Sequence, residues 1–189
     1  MTTIDQKHID LILAMRNHGL ANYIIPGLDS HLIGGAGAGC VRLFQCSRNH
    51  REQITPHSHR FDFSALVLRG TVQNMIWDED AQGDEFLVCK NIYRGSVGQY
   101  LPGEATIKRM AITDDGHYKP GDLYHMKAHE IHSINFSRDA MVLFLEGPQV
   151  SNSSVILQPH TEHGTVHTFK TESWMFQPIT PATPEALDL

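Results

Sequence analysis

PHSHRFDF, residues 56–63, sets two histidines two residues apart at the head of an apolar stretch. On a strand, residues i and i+2 share a face, so His57 and His59 present both imidazoles on one side. Two nitrogen donors so placed make half of a metal site. Alone, the pair is a weak signal, and the plainer reading is two polar residues hydrogen-bonded at a strand end. Asp62 follows three residues after His59. Simple alternation turns it away from the histidines, whereas a bulged turn through Arg60 and Phe61 would bring it round. It therefore reads either as a fourth ligand or as an acceptor that orients a neighbour or caps the strand.

Downstream, KPGDLYHMKAHEIHSINF (residues 119–136) supplies the complement. Pro120-Gly121-Asp122 turns the chain into a strand that ends near His132, with Asn135 just beyond. His129 would face the same site only across an irregular turn, and His125 has the wrong parity.

Around these stretches the pattern is strands and turns. VRLFQC, FSALVLRGTVQNMIW, EFLVCKNIYRG, ATIKRMAI, HSINF, AMVLFLEG and SVILQ are rich in β-branched and aromatic residues. Clusters such as DEDAQGD, LPGE, DDGHYKPGD and SRD separate them. Short strands at this spacing indicate a sandwich or barrel. Residues 3–18 read as an amphipathic helix opened by a Thr3/Gln6 capping box. Its stripe is Ile4, His8, Leu11, Ile12 and Met15, and Gly19 is its stop. Such a helix would pack across the outside of the body or against a partner subunit. GGAGAG (34–39) lacks the Gly-Lys-Ser/Thr that a phosphate loop needs and reads as a connecting loop. The expected organisation is residues 1–40 as helix and Gly-rich connection, 41–170 as the barrel, and 171–189 as an extended C-terminal arm or tail.

The two histidine stretches together resemble the paired signature motifs of the cupin superfamily. His57, His59 and Gly70 match the first motif; Gly121, His132 and Asn135 match the second. The resemblance covers residues 41–148 and implies an all-β jelly-roll barrel whose histidines hold one divalent metal. Where cupins usually carry a Glu ligand, this chain has Phe63 and Ser64; Lys127 and His129 replace the Pro and Gly of the second motif. Thiol dioxygenases, the cysteine dioxygenase branch, also lack the Glu. Their later Ser-His-Tyr elements would fall where Val142, Phe144 and Glu146 stand, so cysteine oxidation is not expected. The H-x-H-x-x-D-F pattern is closer to cupins of no established activity. The metal set implied is His57, His59 and His132, with Asp62 as the fourth candidate. Iron(II) is the foremost ion, with manganese, nickel and zinc as alternatives.

Composition narrows the partners. Twenty-one acidic against fifteen basic side chains leave a net charge of −6 without a basic stripe, which excludes a nucleic-acid surface. No apolar run approaches the length of a membrane span, and the N-terminus shows no secretory pattern. Three cysteines without CxxC spacing suit free thiols in the cytoplasm. The partner expected is a small molecule, an anion by preference because neutral histidines leave the metal's charge uncompensated; a homodimer is compatible. HTEHGTVH (160–167) forms a rival His/Glu cluster but reads as a polar loop. The leading function is a metal-dependent oxidoreductase of the dioxygenase kind, with Phe61, Phe63 and Trp77 keeping the pocket apolar. The alternative is a non-catalytic binding or assembly barrel whose metal is structural or vestigial. Isomerase or lyase chemistry is not separable from the first.

Overall fold

The computed structural model describes residues 4–35, 39–47, 54–94, 99–160, 175 and 177–179. One helix, α1 (Gln6–Ala14), precedes β1 (Gly19–Ala21), β2 (Leu28–Gly34), β3 (Val41–Cys46), β4 (Phe61–Arg69) and β5 (Val72–Arg94). There follow β6 (Gln99–Tyr118), β7 (Leu123–Met126), β8 (Ile131–Phe136), β9 (Met141–Gln149), β10 (Ser153–Pro159) and β11 (Gln177–Ile179). The antiparallel pairings build two sheets. One runs β11-β1-β2-β3-β9-β4-β7; in the other β5 is flanked by β6 on one side and by β8 and β10 on the other. From β6 to β10 each strand lies in the opposite sheet to the one before it, the crossing pattern of a jelly roll.

Alternation along β4 decides what faces inward. Phe63, Ala65 and Val67 are buried between the sheets with Val72, Tyr124, Met126, Ile134, Phe136 and Val142. Asp62 and Ser64 take the opposite parity. Gly70 and Gly121, the two motif glycines, both sit at positive φ (70° and 92°), where a side chain strains the turn. At Gly70 a Cβ would also lie 2.8 Å from Ala140 Cα.

Several expectations change. The helix is shorter than residues 3–18: Asp5 is its N-cap, in a capping box with His8, and Thr3 lies outside the described residues. Its buried face is Ile9, with Ile4, Ile12 and Leu13, packed on Leu43, Leu68 and Met141 of the seven-stranded sheet. Leu11 and Met15, assigned to the stripe, are exposed. Gly19 does not follow a helix end but begins β1, because residues 17–20 find backbone partners on β2 instead. Strands β1 and β2 fall within 1–40, and β11, within 171–189, pairs with β1. DEDAQGD does not separate two strands: β5 runs through it, and its register against β6 jumps from Glu79 to Asp84 across a bulge. LPGE likewise lies within β6. The three cysteines are free thiols. Among the described residues no helix is long and apolar enough to cross a membrane. Apart from His160, HTEHGTVH lies outside the described residues, as do 36–38 of the Gly-rich stretch.

Candidate metal centre

Residues 54–59 form no regular strand, yet backbone bonds fix them closely. His57 and His132 form an antiparallel bridge, each amide donating to the other's carbonyl at 2.9 Å. On the other side Ser58 N–H donates to Val155 O at 2.8 Å, and Leu157 N–H to Pro56 O at 2.9 Å. His59 N–H donates to Ala128 O at 3.0 Å, which ties the segment to the turn before β8. The bridge sets His57 and His132 directly opposite each other, and the i, i+2 relation brings His59 to the same side.

One ring nitrogen from each of His57, His59 and His132 lies within 4.8 Å of the other two. His59 Nε2 and His132 Nε2 stand 3.0 Å apart. That is the separation of two nitrogens held at right angles by one ion at bond lengths of about 2.1 Å. Two second partners fix the rings. His57 Nδ1–H donates to Thr55 O at 2.8 Å; a carbonyl only accepts, so the proton is on Nδ1 and Nε2 is bare. His132 Nδ1 is bonded in the same way to the side-chain oxygen of Asn74, whose Nδ2 in turn lies 3.4 Å from Met126 Sδ. This is the outer arrangement that orients metal-ligating histidines.

Burial pushes the pKa of His59 and His132 well below the ordinary 6.5, and neighbouring histidines lower both further. His57 is lowered by burial as well, opposed in part by its bond to Thr55. All three rings are therefore neutral at neutral pH, the form that binds metal. His132 is 3% exposed, whereas His57 and His59 keep some accessible surface, so the cluster has an open side.

Asp62 is not part of this group. Its Oδ1 accepts from Ala128 N–H at 2.8 Å and its Oδ2 from Lys127 Nζ at 2.9 Å, and these two donors hold its carboxyl below the usual range. The register irregularity near it lies on β9, which spends three steps from Glu146 to Gln149 opposite two on β4, and β4 keeps its alternation. Asp62 instead clamps the turn whose Ala128 carbonyl holds His59. His125 and His129 are exposed, and His125 Nδ1 is 2.7 Å from Ser64 Oγ.

Phe63 occupies the inward position beside the histidines, its ring centroid 4.8 Å from His59 and 5.7 Å from His132. Phe61 and Phe144 stand 5.5 and 6.3 Å from His59. Trp77 does not line this site. It projects from the opposite face of β5 to Asn74, donates to Ser133 Oγ at 2.9 Å and packs with Phe86, Met110 and Leu157. Sequence reasoning missed Asn74; the only available signal was one amide on the inward parity of an apolar strand.

No protein-family model and no curated protein matches this chain. Among solved structures, a hydroxypropylphosphonic acid epoxidase from S. wedmorenis is similar at 10% identity, TM-score 0.44, over 68% of this chain and 53% of that one. A cupin superfamily protein from Desulfitobacterium hafniense is similar at 15% identity, TM-score 0.37, over 64% and 76%. A polyketide cyclase from Streptomyces resistomycificus is similar at 15% identity, TM-score 0.39, over 76% and 82%. The chain thus spans about half the length of the first of these. At such identities and TM-scores the likenesses assign neither a family nor an activity to it.

Proposed function

We propose that this chain is a cupin-type oxidoreductase in which His57, His59 and His132 hold one divalent ion, iron(II) foremost, and which acts on a small anionic molecule in a reaction of the dioxygenase kind. The observation that carries the reading is the convergence of three imidazole nitrogens within 4.8 Å. An ion held by three neutral donors keeps open positions and its full charge, and would supply Lewis acidity and O₂ chemistry there. The protein's own part is to position and to exclude water. Thr55 and Asn74 hold two rings with their ligating nitrogens bare, Asp62 steadies the turn behind His59, and Phe61, Phe63 and Phe144 wall the site with apolar rings.

Elemental analysis of protein purified without chelator tests the site. The expected result is about one first-row divalent ion per chain in the parent and a loss of most of it in His57→Ala, His59→Ala and His132→Ala. Full metal retention by His132→Ala would remove the site. With iron(II) loaded, an oxygen electrode should record no uptake until a small carboxylate, diketone or flavonol is added, and thiols should be among the poorest. Tight binding without turnover under every metal would assign a binding barrel instead.

A further inference from the structure

His31 lies on the face of the seven-stranded sheet that α1 covers, paired with Gly19 of β1 on one side and with Leu43 of β3 on the other. It is only 6% exposed, and among the described residues its ring has no hydrogen-bond acceptor. The ring fills the space that Gly19 leaves: a Cβ there would stand 2.8 Å from His31 Nδ1. The tether of α1 crosses the same face. Arg16, just past the helix end, donates through Nε to Leu13 O at 3.0 Å and through Nη1 to Gln45 Oε1 of β3 at 2.9 Å. Gln45 pairs with Asp29, which shares a face with His31 two residues along β2. The charged groups facing His31 are therefore Arg16, from the end of α1, and Asp29, from its own strand; Gly19, Leu43 and Gln45 carry no charge. Asp29 already accepts from Asn22 N–H at 3.1 Å. Burial first, and then Arg16, lower the pKa of His31 below 6.5, and Asp29 offsets part of this.

We infer that α1 is an acid-loosened latch and that the buried His31, beneath the Arg16–Gln45 tether, is its trigger. A neutral ring packs under the tether without electrostatic cost. A protonated one places a second cation near Arg16, where burial keeps water from it. Opening the joint relieves both, because the freed imidazolium is hydrated and Arg16 leaves Gln45. The closed form refuses a proton that the open form accepts, so the latch is tight above about pH 6.5 and loosens as the pH falls below it. What opens is the packing of Ile9, Ile12 and Leu13 on Leu43, Leu68 and Met141, and an apolar row then reaches the surface.

Amide exchange of the full chain tests the latch, read at about pH 7.5 and about pH 5.5 and corrected for intrinsic rates. Protection of Ile9–Ala14 should fall by about threefold or more at the lower pH. Its ceiling is about tenfold, because the lower pH lies one unit below the value of a free histidine. In His31→Leu and His31→Gln, each compared with itself at the two pH values, the fall should vanish. His8→Gln, which removes the other titratable ring of α1, should keep it. Protection in the parent that is equal at both pH values would overturn the inference. A fall that survives in both His31 variants would do the same, since it would belong to unfolding of the whole chain. A fall lost in His8→Gln would assign it to the capping box and overturn the inference as well.

Discussion

Replacing Asn74 by Leu asks how firmly the site is held from behind. Asn74 is 3% exposed, and its side-chain oxygen is the acceptor for His132 Nδ1–H. Leu has similar volume and no acceptor. The buried Nδ1–H is then left unpaired at a cost of about 1–3 kcal/mol. The ring avoids that cost only by moving its proton to Nε2, the nitrogen that faces His59. Either route weakens metal binding, and the loss expected for such an outer partner is roughly 10- to 100-fold. A cobalt titration against a chelating indicator at neutral pH measures the affinity, and urea unfolding of the chelated protein measures the stability term. Asn74→Asp keeps an acceptor and should stay within about threefold of the parent affinity. A Leu variant that binds cobalt as tightly as the parent and unfolds at the same urea concentration would refute the reasoning.

Asp62→Ala should leave metal content unchanged but destabilise the turn at Lys127–Glu130, read as faster amide exchange at Ala128; a large loss of metal would return Asp62 to the ligand set. The pH dependence follows from His59 and His132, whose folded pKa lies below the 6.5 of the free side chain. Below that value the unfolded chain binds protons that the folded chain refuses, so metal-free stability is flat above it and falls as pH drops, by up to about 1.4 kcal/mol per pH unit per histidine. A urea midpoint that stays constant on acidification would contradict their burial as neutral rings. Gly70→Ala should lower the melting temperature, since φ is 70° and the added methyl meets Ala140, at a cost of about 2 kcal/mol. An unchanged melting temperature would show that the turn relaxes.

What could be read in advance follows the range of the interaction. The strands of the barrel, the turn glycines and the sharing of a face by His57 and His59 depend on alternation and turn chemistry within a few residues. Their meeting with His132 was legible only as a motif, because nothing local in the chain states that residues so far apart form a bridge. The placement of Asp62 turned on whether β4 bulges; the bulge is on β9, and no feature of β4 announces it. Trp77 is expected in the pocket on its apolar ring alone, and nothing in that ring states which face of β5 carries it; it packs with Phe86, Met110 and Leu157 instead. The helix was read too long because its terminal residues have helical character yet find better backbone partners in β2.

Phe63 stands where the family resemblance calls for a charged ligand, and it touches two of the three rings. An acidic side chain in that place would draw a proton onto a neighbouring imidazole until an ion arrived to take the proton's place. A phenyl ring needs no such arbitration: packing from one side and the bonds from Thr55 and Asn74 on the other hold the imidazoles in place beforehand. Folding and metal uptake would then be separable: the chain would reach its native form without an ion, and an ion held by the three histidines could exchange without the barrel coming apart.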